Sequence, residues 1–288
     1  LLIINDDEWY IKTSDIEKIK FSKNDFSFNY NKKNYKFNVI FNAVHGQPGE
    51  DGELAILLDS KNIPHTSCNF SAANLTYSKK DCLIEAKKFN IATAKSIYID
   101  SEDKLIESEI INEIGLPCFV KANKAGSSFG VYRVSDKKML RPSIKNAFKE
   151  DSQVIIESEL KGREVSVGVY KDIDGIKCLP VTEIISENEF FDYEAKYLGK
   201  AIEITPAQIP NEWIDSVIKT SIYLYKKFNL KGICRSEYIF VDDIPHLLEI
   251  NSVPGLTEQS IVPKQCKAAG ISLNLFFEKL LIEAINKN

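Results

Sequence analysis

Glu249 and Asn251 stand two residues apart at the end of an apolar stretch, Leu247-Leu-Glu-Ile-Asn251, just before a Ser252-Val-Pro-Gly255 turn. In a strand, side chains at i and i+2 share a face, so both residues present oxygens in one direction. One expected strand earlier, Gly232-Ile-Cys-Arg-Ser-Glu-Tyr-Ile-Phe240 places Arg235 and Glu237 on a common face by the same rule. Magnesium takes oxygen ligands, usually one or two carboxylates together with substrate phosphates. A hairpin carrying Glu237, Glu249, Asn251 and Arg235 on one face therefore reads as a metal and phosphate site. The alternative is a solvated strand edge with scattered charges. The Arg235 guanidinium fork suits a carboxylate or a developing oxyanion.

Further chemistry lies upstream. The small-residue loop Ala125-Gly-Ser-Ser-Phe-Gly130 falls between two expected strands, so it is no Walker-type loop, which joins a strand to a helix. Its small residues let backbone N–H groups approach phosphate oxygens closely, although a plain hairpin turn reads equally well. Lys121 just before it offers a positive charge for phosphates. Glu157 and Glu164 frame the turn Glu157-Ser-Glu-Leu-Lys-Gly-Arg-Glu164. Both are hydrogen-bond acceptors, and taken alone they read as solvent-facing acids. Ser260 follows the Pro-Gly turn near a helix start, where anions are favoured and serine also serves as an N-cap. His45, Glu50 and Asp51 cluster in a glycine-rich loop, although a lone histidine after a strand is more often structural.

Together these segments resemble the D-alanine–D-alanine ligases, an ATP-grasp family. The resemblance runs from near residue 37 to the C-terminus in six or more ordered motifs. They are His45-Gly-Gln-Pro-Gly-Glu-Asp-Gly52, Pro64-His-Thr-Ser67, Lys121-Ala-Asn-Lys-Ala-Gly-Ser-Ser-Phe-Gly-Val131, the Glu157 and Glu164 pair, Asp192-Tyr-Glu-Ala-Lys-Tyr197 and the two metal segments. The fold class implied is α/β of mixed α+β character, an ATP-grasp architecture of three lobes. We delimit these as residues 1–70, 71–157 and 158–288, with ATP between the last two.

The resemblance also implies roles. Lys79 and Lys121 are the ATP lysines, and Ser127 and Ser128 belong to the phosphate loop, Ser127 also to catalysis. The family usually has Asp or Asn before the first lysine, where this chain has Ser78. Glu157 accepts from the adenine amino group, the segment through Glu159 and Leu160 contacts the adenine edge, and Glu164 binds the ribose. Lys196 meets the γ-phosphate, and Tyr197 orients the second substrate. Arg235 and the Gly255 N–H form an oxyanion hole. His45, with Glu50 beside it, holds the first D-alanine, and Ser260 holds the carboxylate of the second. Glu237, Glu249 and Asn251 hold two Mg2+ or Mn2+ ions, Glu237 standing where many members have Asp.

The implied reaction joins two D-alanines with ATP through an acyl phosphate, for peptidoglycan synthesis. The rivals are a D-alanine–D-serine or D-alanine–D-lactate ligase, another ATP-grasp carboxylate–amine ligase, or a catalytically silent ATP-binding subunit. The Tyr197 motif speaks against the lactate type. The family also leads us to expect a homodimer.

The elements must supply this geometry. At 288 residues the chain is long enough for two or three lobes. A net charge of −4 gives no basic field for nucleic acid, and no apolar run approaches a membrane span. No signal peptide is visible. Six scattered cysteines without Cys-x-x-Cys suit reduced thiols in a cytosolic protein, and the resemblance implies that the cytoplasm is bacterial. Strands are expected at 36–44, 95–99, 118–121, 131–134, 153–157, 163–171, 176–185, 231–241 and 246–250. Helices are expected at 53–61, 78–89, 102–114, 136–149, 212–228, 258–269 and 273–286. Residues 186–210 read as a long polar connection. Residues 1–36 lack the family's opening strand, glycine turn and glutamate-bearing helix. The expectation is an incomplete N-terminal lobe in which the apolar runs 1–4 and 39–41 lack a sheet neighbour.

Overall fold

The computed structural model describes residues 1–5, 8–14, 18–101, 106–126, 130–186 and 201–286. Three sheets organise it. The first is an antiparallel meander of β1 (Leu2–Ile4), β2 (Trp9–Ile11), β3 (Ile19–Ser22), β4 (Ser27–Tyr30) and β5 (Lys33–Lys36), in sequence order. Its β4–β5 turn is Asn31-Lys32, both at positive φ, which matches the twist of a two-residue hairpin. Phe21 and Phe26 are buried there beneath α1 (Glu53–Ser60), against Leu54 and Leu58. The sequence leaves the apolar runs 1–4 and 39–41 without a sheet neighbour. Leu2–Ile4 instead pairs with Trp9–Ile11, and Asn5 and Glu8 exchange backbone hydrogen bonds beyond the ladder. The strand expected at 36–44 shrinks to a single parallel bridge between Ile40 and His65.

The second sheet has order β6-β9-β7-β8, from β6 (Ser96–Ile99), β7 (Cys118–Ala122), β8 (Val131–Val134) and β9 (Val154–Ser158). Helices α4 (Glu107–Ile114) and α5 (Lys137–Ala147) cover one face, burying Ile110, Leu140 and Ile144 on Val120 and Ile156. The third sheet has order β13-β12-β10-β14-β15, with β11 also on β10. Its strands are β10 (Arg163–Asp172), β11 (Gly175–Cys178), β12 (Thr182–Ser186), β13 (Ala201–Ile204), β14 (Ile233–Val241) and β15 (Ile244–Asn251). The single strand expected at 176–185 is thus split in two, since Pro180 cannot donate to a ladder. Part of the polar connection pairs as β13. Both are long-range outcomes.

Alternation along β10 sorts its two faces. Val165, Val167 and Val169 join the core made with α2 (Phe70–Tyr77), α3 (Lys79–Lys88) and α6 (Asn211–Lys227). The intervening Glu164, Ser166, Gly168 and Tyr170 face the other way. Over Tyr170 lie α7 (Ile261–Ala268) and α8 (Leu273–Ile285), which bury Val262, Cys266 and Phe276. Helix α2 went unanticipated, its start marked only by Asn69, whose side chain accepts from Ala72 N. No helix among the described residues is long and apolar enough to cross a membrane.

The β14–β15 hairpin turns at Asp242-Asp243, both at positive φ. Tyr238 pairs with Leu247 and Glu237 with Glu249, so Leu248 is an extra residue in the ladder. This bulge lets buried Leu247 reach the core while Glu249 stays on the opposite face. Leu247→Ala should therefore cost about 2–5 kcal/mol, as a large-to-small core change does, and Leu248→Ala distinctly less. Denaturant unfolding of the two variants checks this, and the reverse order would contradict the bulge.

Candidate active site

On the face of the third sheet opposite the valine-lined core, Arg235 pairs directly with Asn251 and Glu237 with Glu249. Four functional side chains thus stand in two adjacent cross-strand rows. Opposed carboxylates repel unless cations intervene. Arg235 Nη2 lies 2.9 Å from Glu237 Oε1, and Lys79 Nζ lies 3.7 Å from Glu249 Oε2. The Arg235–Glu237 approach is an ion pair without hydrogen-bond alignment, so the buried Glu237 Oε1 and Arg235 Nε have no hydrogen-bond partner. Asn251 Oδ1 accepts from Val253 N at 2.8 Å and keeps a second lone pair. Two carboxylates, one with a buried oxygen that makes no hydrogen bond, beside an amide oxygen fit a hard divalent cation that completes its shell with phosphate and water. Among the described residues no group of three or more His, Cys, Asp or Glu is placed to hold a metal, so phosphate oxygens would have to contribute.

Lys79, Arg235, Glu249 and Asn251 line a cleft of about 620 Å³. Its walls bring together His45, Glu50, Lys79, Arg235, Glu249, Asn251, Gly255 and Ser260, which come from distant parts of the chain. Lys79 opens α3. Its Nζ donates to the Ala125 carbonyl at 2.6 Å, joining the helix to the phosphate loop. Ser78 is the N-cap of α3, accepting from Asp81 N at 3.2 Å. Serine does there what Asp or Asn would do, so the family departure is chemically small. Asn123 fixes the loop behind, accepting from Lys80 N at 2.8 Å and donating to Gln153 Oε1 at 3.0 Å.

Ser260 occupies the N-cap position of α7 but makes no capping bond. Its hydroxyl lies 2.9 Å from Thr257 Oγ1, so it remains beside uncapped helix N–H groups that attract an anion. A Cβ at Gly255 would stand 2.7 Å from Ser260 Oγ, so glycine permits the two to meet. On the other side Lys121 Nζ donates to Glu157 Oε2 at 2.7 Å, and Glu157 is buried. Burial opposes the charge on Lys121, but Glu157, with help from Glu249 and Glu164, outweighs it and raises its pKa. Lys121 therefore stays cationic between the two sheets. Glu164 and Ile239 form a cross-strand pair on the face that carries Glu237. The Glu159 carboxylate is bound by Arg133 Nε at 2.6 Å and its N–H by the Pro117 carbonyl at 3.3 Å. Leu160 follows Glu159 directly. Lys121, Glu157, Glu159, Leu160, Glu164 and Glu237 do not line the cleft itself. Ser127, Ser128, Lys196 and Tyr197 lie outside the described residues.

Sequence reading missed Glu203. It sits on β13, lines the cleft and is held by Lys264 at 2.9 Å. Nothing local marks it, because its place depends on pairing with β12.

Comparison with known proteins gives one consistent answer. The family model described as D-ala D-ala ligase C-terminus matches residues 83–282. A D-alanine–D-alanine ligase of Flavobacterium johnsoniae is 47% identical over 272 residues, covering 94% of this chain and 84% of its own. The ATP complex of the D-alanine–D-alanine ligase from Bacillus anthracis superposes with a TM-score of 0.76 at 28% identity, over 87% of this chain and 80% of that one. A D-Ala:D-Ser ligase from Enterococcus faecalis gives 0.81 at 28% identity, over 93% and 79%.

One pH effect follows from the cleft. Glu50 Oε1 lies 3.5 Å from His45 Nδ1, and its hydrogen bond raises the His45 pKa above the ordinary 6.5, against partial burial and the nearby Arg235. A raised histidine value means the pairing is complete below about pH 6.5 and is lost as pH rises through the folded value. NMR titration should place His45 above 6.5, and Glu50→Gln should lower it. A wild-type value at or below 6.5 would contradict the pairing.

Proposed function

The chain belongs to the D-alanine–D-alanine ligase family, and on that premise we propose how its residues divide the work. The reaction is the ATP-dependent joining of two D-alanines. The carboxylate of the first is phosphorylated by ATP, the amine of the second attacks the acyl phosphate, and phosphate leaves. The observation that carries the assignment of roles is the shared face of Arg235, Glu237, Glu249 and Asn251, bordering the cleft that also contains His45 and Ser260.

We take the chain as three lobes, 1–70, 71–157 and 158–288, with the nucleotide between the last two. Lys79 and Lys121 bring positive charge to the phosphates. Glu157 and Glu164 accept hydrogen bonds from adenine and ribose, and the backbone through Glu159 and Leu160 follows the base edge. Glu237, Glu249 and Asn251 hold the divalent metal, which we take as two magnesium or manganese ions. Metal bound there neutralises charge on the phosphoryl group in transfer. Arg235 and the Gly255 N–H receive the oxyanion of the tetrahedral intermediate. His45, set by Glu50, binds the first D-alanine. Ser260 and the first turn of α7 bind the carboxylate of the second. For Ser127, Ser128, Lys196 and Tyr197 the support is sequence alone. Tyr197 favours an amino acid over lactate as second substrate. This reading puts the enzyme in a bacterial cytoplasm, supplying peptidoglycan precursors, as a homodimer with only small-molecule partners.

Product analysis with ATP, magnesium and a panel of D-alanine, D-serine, D-lactate and L-amino acids tests it. D-Alanyl-D-alanine should dominate, with one phosphate released per dipeptide. Glu249→Gln should abolish turnover while an ATP analogue still binds. Dominant depsipeptide or D-alanyl-D-serine, or full turnover in Glu249→Gln, would overturn the reading.

A further inference from the structure

Four buried polar atoms around the catalytic rows have no hydrogen-bond partner among the described residues: Arg235 Nε, Glu237 Oε1, Ser166 Oγ and Gln265 Oε1. Two are donors and two can only accept, so the set is complementary. Register explains why they meet. On β10, Ser166 pairs with Glu237 and Gly168 pairs with Arg235. Cross-strand neighbours of this kind hold their Cβ atoms about 4.5–5.5 Å apart.

Gln265 comes from a different element. It lies on α7, five residues after Ser260, and is fully buried. Its Nε2 donates to the Ser166 carbonyl at 3.0 Å. Its Oε1 would stand 2.6 Å from a Cβ on residue 168, so only glycine there admits the amide. The carboxamide therefore lies on β10 between Ser166 and Gly168, opposite Glu237 and Arg235. The next residue on this face, Tyr170, belongs to the apolar core under α7 and α8. Gln265 thus marks the border between that core and the cleft. An unpaired acceptor over Gly168 and an unpaired donor on its cross-strand partner Arg235, both buried, favour joining, directly or through one water.

We propose that Gln265 is a positioning residue for the ligation step. Its amide nitrogen ties the Ser260 helix to β10, and its carbonyl oxygen accepts from Arg235 Nε and so aims the guanidinium at the reacting carbonyl. One side chain then fixes the second substrate's anchor and the oxyanion donor relative to each other. This rests on the role given to Arg235 above.

Steady-state kinetics of the full chain test it. Gln265→Met keeps the length of the side chain and removes both polar atoms. It should lower kcat roughly 10–100-fold, the range typical for loss of an outer-shell partner, with KM for ATP little changed. Gln265→Glu keeps an acceptor for Arg235 Nε but loses the donor to the Ser166 carbonyl, so it should recover part of kcat while raising KM for the second D-alanine. In an Arg235→Lys background, which has no Nε–H, Gln265→Met should cost almost nothing further. A merely structural role would cost the same in both backgrounds. Wild-type kcat in Gln265→Met, equal loss in the two backgrounds, or no recovery in Gln265→Glu overturns the proposal. D-Alanyl-D-alanine formation by the wild type is scored separately, so failure of the functional reading is distinguishable.

Discussion

The register between Ile233–Val241 and Ile244–Asn251 is the constraint on which the site depends. A one-residue slip in a ladder exchanges the two faces. Here a slip would send Glu237 and Arg235 into the helix-covered core and turn Tyr238 and Phe240 toward the cleft. Burial of Tyr238 and Phe240 under α6 makes that exchange costly. The apolar side of the hairpin thus holds the catalytic side in place, and the bulge at Leu248 lets β15 satisfy both faces. The tight Asp242-Asp243 turn pins the register at one end, and the core pair Ser236–Ile250 continues it near the other.

Charge is the second constraint. Glu237 faces Glu249 directly, an arrangement tolerable only with cations at hand. Arg235, Lys79 and Lys121 supply them from three different elements. Substrate phosphates and metal would enter a field in which both signs are already fixed, which lessens reorganisation during reaction.

Spacing alone places Glu249 with Asn251 and Arg235 with Glu237, because no irregularity falls within either pair. The bulge lies one residue before Glu249, and nothing in Leu247-Leu248 announces it. The paired strands around the 125–130 loop and the 242–243 turn are likewise local, and they stand as expected. What stayed hidden depends on distant partners. Glu203 joins the cleft through pairing of β13 with β12. Gln265 looks like one more polar helix residue until Gly168 is seen to make room for it. The strands described within residues 1–36 form a meander whose aromatic residues pack on α1, whereas the sequence shows only that the family's opening motif is not in this stretch. Ser78 read as a departure until its capping bond showed what the position requires.

The central claim is that Glu237, Glu249 and Asn251 share one cation-binding face. Anomalous diffraction from crystals grown with manganese and a non-hydrolysable ATP analogue tests it most directly. The account predicts a manganese peak about 2–2.2 Å from oxygens of Glu237, Glu249 and Asn251, close to those of hard divalent ions, with phosphate completing the shell. A peak held by other residues, with these three side chains unliganded, would contradict it.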